Sequence, residues 1–222
     1  RGNVKEAIDY FTNVVKSKQW VTLREIENGR DISITGIATI PPYTRMLQSC
    51  EIVLSIYCNR PYWEDTLLMV GVDNIISLLN FPSAGQYFTT EGRPFGVIDN
   101  SLRKDILNNG DTSVGALFSI TATGTVVNPQ ITCNTGEQNG WYMRLNLTLQ
   151  ENDEVIISTV KNNKYITING SEFYNGVPVL SYLEFRGTDW LQLEEGSNIF
   201  DITTTSGSNN VYFNATYRRK YE

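Results

Sequence analysis

Trp141, Tyr142 and Trp190 are the residues best suited to ligand chemistry. Indole and phenol rings stack on the apolar faces of sugars and keep one polar edge for hydrogen bonding. The same rings serve core and interface packing, the commoner use of large aromatics. Sugar contact and partner contact therefore both stay open for these three positions. Acidic doublets stand at Glu64-Asp65, Asp153-Glu154 and Glu194-Glu195. A glycosidase needs two carboxylates about 5–10 Å apart across a cleft. Sequence neighbours on a strand point to opposite faces, so these doublets are expected to be solvated turn residues. Asn146-Leu147-Thr148, Asn169-Gly170-Ser171 and Asn214-Ala215-Thr216 match the glycosylation sequon, a motif that is common by chance.

Composition removes most catalytic classes. There is no histidine among the 222 residues, which eliminates the commonest general base near neutral pH and every histidine-ligated metal. No phosphate-binding glycine loop, nucleophile elbow or paired CxxC site is present. The chain is read as no enzyme, with no catalytic residue, metal ligand or cofactor. The three cysteines are Cys50, Cys58 and Cys133. Cys50 and Cys58, eight apart on one expected strand, would lie roughly 26 Å apart, too far to bridge. Free core thiols made in a reducing compartment are expected. A net charge of −6 argues against a surface that grips nucleic acid. No stretch of about 18 apolar residues exists to form a spanning helix. The chain begins at Arg1 without methionine, as a fragment or processed product would.

The elements that must position these residues follow from apolar periodicity. Val4, Ile8, Phe11 and Val15 share one helix face, and Asn3 is placed to cap it. The period then changes to two. Strands are expected over 20–26 and 31–40, joined by a turn at Asn28-Gly29, with Ile32, Ile34, Gly36 and Ala38 on one side. From Cys50, the residues Ile52, Leu54, Ile56 and Cys58 share a face. Residues 66–79 fit strand or helix, and 80–100 read as a Gly/Pro-punctuated connector. Beyond Asp111 the chain is all-β: expected strands lie over 118–123, 143–150, 155–160, 165–168, 182–185, 198–203 and 211–217. An Asn162-Asn163 turn joins two of them. The fold class is α+β, mostly β: a β-rich unit with one amphipathic helix over residues 1–95, then an antiparallel β-sandwich over 96–222.

One strand breaks. The alternation of Phe118, Ile120 and Ala122 slips at Val126-Val127 and stops at Asn128-Pro129. Proline removes a ladder donor and biases Asn128 towards extended geometry. The chain is expected to leave its sheet there and begin a new edge, with residues 133–140 as the loop before Trp141.

The order of several short motifs carries a resemblance. "PYW" (Pro61–Trp63), "GRPFG" (Gly92–Gly96), "NNGD" (Asn108–Asp111) and "GTVVNPQI" (Gly124–Ile131) come first. "NDEVIISTVKNNKYITING" (Asn152–Gly170), "LEEGSNIF" (Leu193–Phe200) and a final "YFNATYRRKY" follow. Across nearly its whole length the chain resembles the distal tail protein family of long-tailed, siphophage-type bacteriophages and related phage tail-like particles. The resemblance implies an N-terminal belt that closes into a homo-hexameric ring and a galectin-like C-terminal sandwich. Such a ring joins the tail tube protein to the tail hub that carries the tail-associated lysin or fibre. It offers a docking platform for receptor-binding or other baseplate proteins, and DNA meets it only in transit through the lumen. The place implied is the virion tail tip, after assembly in the host cytoplasm, with no membrane partner. Family members usually have strands before the helix, which here would precede Arg1. Galectins carry a histidine-containing sugar motif, so galectin-like architecture does not by itself supply a sugar site. The rival reading from the residues is a carbohydrate-binding sandwich for host-surface adhesion, with Trp141, Tyr142 or Trp190 as platforms.

Overall fold

The computed structural model describes residues 4–27, 30–40, 52–70, 75–77, 96–98 and 102–222. They fall into two compact units, Arg1–Leu67 with Lys220–Glu222, and Leu68–Arg219. Between 71 and 101, the stretch holding the sequence-derived boundary at 95/96, only Ile75–Ser77 and Gly96–Ile98 are described, as one antiparallel pair.

In the first unit the helix Val4–Val14 buries Ile8, as its periodicity predicts. Strands Trp20–Glu27 and Arg30–Thr39 form an antiparallel hairpin whose register sets Glu27 opposite Arg30. The intervening Asn28 and Gly29 lie outside the described residues. Ile32, Gly36 and Ala38 are buried and Ile34 half-buried, the face the alternation marks. Ser55–Tyr57 and Trp63–Asp65 pair with the other edge of Arg30–Thr39, and the chain's end returns as Lys220–Tyr221 against Trp63–Asp65. Ile52, Leu54, Ile56 and Cys58 are half-buried on alternate positions, although only Ser55–Tyr57 is paired as strand; Cys50 lies outside the described residues. The Tyr221 hydroxyl donates to Asp65 at 3.3 Å, and the Arg30 guanidinium stands 5.4 Å from the Tyr221 ring centre. Arg24 hydrogen-bonds Asp31 across the hairpin and holds its carboxyl down to about 2.

The second unit is a sandwich of two five-stranded antiparallel sheets. One runs Leu183–Arg186, Tyr142–Leu145, Gln130–Cys133, Gly196–Thr203, Arg103–Asn108 in spatial order; the other runs Tyr165–Ile168, Glu154–Ser158, Ala116–Ala122, Val211–Tyr217, Met69–Val70. Strict alternation places Phe118, Ile120, Phe213 and Ala215 inside from one sheet and Ile131, Met143, Phe200 and Ile202 from the other. Phe118 meets Phe200 edge to face across the layers at 5.4 Å and stacks on Phe213 within its own sheet at 5.8 Å. Such ring pairs add about 0.5–1.5 kcal/mol beyond their burial.

Several expectations change. Arg103–Asn108, a stretch to which the apolar pattern assigns no element, is a strand: Lys104, Ile106 and Asn108 are buried and alternate with exposed neighbours. Two of those three buried positions are polar, which hides the period from an apolar pattern. Strands Glu154–Ser158 and Tyr165–Ile168 are joined by residues 159–164, with Asn162 at positive φ, a longer connection than a two-residue turn. At the Asn128-Pro129 break the chain does change sheet. Val126–Val127 pairs with Thr148–Leu149, and Gln130–Cys133 then enters the other sheet. It enters at the centre, between Tyr142–Leu145 and Gly196–Thr203, not at an edge. Asn128 adopts φ 51, not extended backbone, a conformation asparagine tolerates better than most residues. Its N–H donates to Leu147 O at 2.8 Å, which ties the corner to the link between Tyr142–Leu145 and Thr148–Leu149.

The acidic doublets are not simply solvated turns. Asp65 and Asp153 are buried and Glu194 is half-buried. Only Asp65 lies within a strand; Asp153 and Glu194 stand in loops just before strands, where each is turned inward by the hydrogen bonds that its carboxylate accepts. Asp153 accepts from Gln150 N at 2.7 Å, Asn169 Nδ2 at 2.7 Å and the Tyr174 hydroxyl at 2.8 Å. Burial alone would raise its pKa, but these three bonds outweigh it and hold the carboxyl below its usual value. Burial, reinforced by Asp153, pushes Tyr174 up to about 12.

Candidate functional site

Register brings five strand ends together at one end of a single sheet. Cys133 ends one strand and Tyr142 begins the next; Tyr142 stands opposite Arg186, where a third strand ends, and Gly196 begins a fourth opposite Asn108. Two connecting segments project from this end, residues 134–141 and 187–195. Between them lies a cleft of about 590 Å³ lined by Ser113, Glu137, Gln138, Trp141, Thr188, Asp189, Trp190, Gln192 and Glu194. That volume falls within the roughly 300–1,000 Å³ of small-ligand sites.

The floor is fixed by buried polar groups. Asn198, 1% exposed, accepts from Glu194 N at 2.8 Å and donates to Glu194 O at 2.8 Å and Gly196 O at 2.9 Å. Fully buried Asn108 donates to Leu193 O at 3.2 Å, and Val114 pairs its backbone with Leu193. These bonds hold the segment that presents Gln192 and Glu194. Gln138 and Gln192 bond reciprocally: Gln192 N donates to Gln138 Oε1 at 2.9 Å, and Gln138 Nε2 donates to Gln192 O at 3.2 Å. Glu194 accepts from Glu137 N at 3.2 Å and Gln138 Nε2 at 3.3 Å, which closes one loop on the other.

Two glycines make room. A Cβ at Gly136, φ 61, would fall 1.8 Å from Glu194 Oε2. One at Gly187, φ 146, would fall 2.6 Å from Cδ2 and Cε3 of Trp141. The carboxylate and the indole are thus seated directly on backbone.

Of the aromatic candidates, the structure brings Trp141 and Trp190 into one cleft and leaves Tyr142 out of it. Both tryptophans also pack against the sandwich core. Strand alternation turns Tyr142 to the outer face, where its hydroxyl donates to Glu184 at 2.9 Å. That bond raises the Tyr142 pKa, while Asn146 and Tyr142 together lower that of Glu184. Asp189 is paired with Lys164 and capped by Trp190 N, and both hold its carboxyl below the usual range. The Lys164 ammonium stands 6.0 Å from the Trp190 ring centre. Among the described residues no three His, Cys, Asp or Glu side chains form a group that could hold a metal ion.

The motifs read from the sequence do not mark Glu137, Gln138, Asp189 or Gln192 as lining, and Glu194, expected as a solvated turn residue, lines the cleft instead. A usable signal exists in hindsight: each tryptophan closes a short glycine-containing polar run, "TGEQNGW" at 135–141 and "GTDW" at 187–190.

This sandwich matches a known domain: residues 109–221 match the family model for the C-terminal domain of the siphovirus-type tail component. The chain belongs to that family of phage tail proteins, and the resemblance carried by its motifs holds. Among solved structures it is similar to SPP1 Dit, described as a paradigm of the hub adsorption apparatus in phages that infect Gram-positive bacteria. Identity is 9% and the TM-score 0.55, over 98% of this chain and 72% of that one. A chain of the phage P2 baseplate, activated with Ca, aligns over 97% of this chain and 74% of its own, at 14% identity and a TM-score of 0.45. No curated protein sequence matches. The likeness to SPP1 Dit shows a shared fold, and the family match makes the chain a structural component of a phage tail.

Proposed function

We propose that the protein is the ring-forming connector of a phage tail tip, a homo-hexamer that joins the tail tube to the hub and its lysin or fibre. The observation that carries this reading is the strand Trp20–Glu27. It occupies the edge of its sheet, and among the described residues its outer edge pairs with nothing. It is eight residues long and almost wholly exposed, yet it presents Trp20 (63% exposed), Leu23 (45%) and Ile26 (69%). A long edge strand with apolar side chains on both faces is a template for pairing with another chain. In a heterologous arrangement that closes, such pairing produces a ring.

The remaining features support the same reading. A net charge of −6 suits a lumen that DNA must traverse without adhering. The free thiols of Cys58 and Cys133 suit assembly in a reducing host cytoplasm. The sandwich serves as the docking platform for receptor-binding or other baseplate proteins. The role is architectural, without catalysis or cofactor.

The test is the double substitution Leu23→Lys with Ile26→Lys. Both side chains are exposed, so the fold should lose no more than about 0.5 kcal/mol each. The wild type should appear as six-fold rings in electron micrographs, and the variant should remain monomeric with an unchanged melting curve. Rings that persist in the variant would overturn this assignment of the edge.

A further inference from the structure

The cleft at the end of the sandwich goes beyond the ring reading. We propose that it is a saccharide-binding site for a neutral oligosaccharide, with Trp141 and Trp190 as its ring platforms and Glu137 as its principal acceptor.

Three observations converge. First, both indoles are half-buried: backed by the core, with Trp141 seated on Gly187, they line the cleft as rigid walls. Rigid amphipathic rings are what the apolar face of a pyranose stacks on. Second, unspent hydrogen-bonding capacity gathers between them. Neither indole N–H has a partner among the described residues, nor do the Glu137 carboxylate and the Ser113 and Thr188 hydroxyls. Glutamine 138 and Glu194, by contrast, are consumed in holding the loops. A ligand rich in hydroxyls both donates and accepts, which matches this mixture of donors and acceptors.

Third, charge selects against acidic ligands. The lining carries Glu137, Asp189 and Glu194 and no lysine or arginine. Lys164, beside the cleft, is bound to Asp189 and lies over Trp190. A uronate or other anionic sugar would meet carboxylates with nothing to neutralise it. A cationic ligand would find the Asp189 charge and one aromatic partner already taken by Lys164, which leaves it the exposed, solvent-screened Glu137 carboxylate as its remaining ion-pair partner. A neutral saccharide meets neither obstacle.

The experiment uses the full chain on an array of neutral gluco-, galacto-, manno- and N-acetylglucosamine tetrasaccharides, with uronic acid tetrasaccharides beside them. The best binder is then titrated by tryptophan fluorescence. Binding of at least one neutral tetrasaccharide with Kd below about 1 mM is expected, with no uronate binding. Trp190→Ala should weaken it about tenfold or more. Glu137→Ala removes an exposed side chain that holds nothing in the fold, so it should weaken binding with an unchanged melting curve. That variant decides the matter if Trp190→Ala fails to fold. Tyr142→Phe, outside the cleft, should bind as the wild type does. No neutral binder, preference for the uronates, or binding that survives Glu137→Ala in full would overturn the proposal.

Discussion

The indole of Trp141 lies against the backbone of Gly187, so close that a Cβ there would stand 2.6 Å from Cδ2 and Cε3 of the ring. Gly187 also has φ 146, a conformation that L side chains rarely adopt. Gly187→Ala should therefore combine steric displacement with backbone strain, costing about 1–3 kcal/mol. Urea denaturation followed by fluorescence reads both the lost stability and the moved indole. A midpoint and emission spectrum identical to the wild type would mean that the contact does not constrain the cleft.

Asn198 lies under the same cleft and satisfies Glu194 through both its N–H and its carbonyl. Asn198→Ala should cost about 1–3 kcal/mol, because buried backbone groups lose their partners. Asn198→Asp should cost at least as much: it keeps the acceptor but directs a buried charge at the carbonyl oxygens of Ile106, Glu194 and Gly196. The check is the urea midpoint of each variant at constant slope.

The Asp153–Tyr174 pair predicts pH dependence at both ends. The Asp153 carboxyl is held below its ordinary value, so its contribution is present above the unfolded pKa of about 4. It is lost as pH falls through the folded value. Tyr174 is pushed up to about 12, so its contribution is present below the unfolded pKa of about 10 and lost as pH rises through about 12. Asp153→Asn should flatten the acid limb of the stability curve, and Tyr174→Phe the alkaline one. Limbs unchanged in both variants would mean that the pair does not shape the pH dependence of stability.

Phe118 joins the two sheets through Phe200 and is fully buried. Phe118→Ala should cost about 3–5 kcal/mol, the range for deleting a core aromatic. Calorimetry on the purified variant measures the loss; a cost below that of a surface substitution would contradict the sandwich core described above.

Apolar alternation made most of the sandwich legible. The strands at 165–168 and 211–217 stand where the pattern marks them, because their inward residues are all hydrophobic. Even across the split between Tyr142–Leu145 and Thr148–Leu149, Met143, Leu145, Leu147 and Leu149 are all buried. Arg103–Asn108 escaped notice because burial there uses Lys104 and Asn108, and Asn108 is satisfied by Thr112 O and Leu193 O, partners that no local pattern reveals. The cleft was legible only in its tryptophans. Its polar lining depends on which loops meet, and that follows from strand order in a sheet where Gln130–Cys133 takes the centre. Asn128 shows a local rule overridden: the residue before proline takes a left-handed conformation where the chain changes sheet.

Closure of the chain into a ring is read from its mass in solution, measured by light scattering after size exclusion. The protein should elute as a single species of roughly six chains that stays assembled on dilution. A monomer under all conditions of salt and concentration would contradict it.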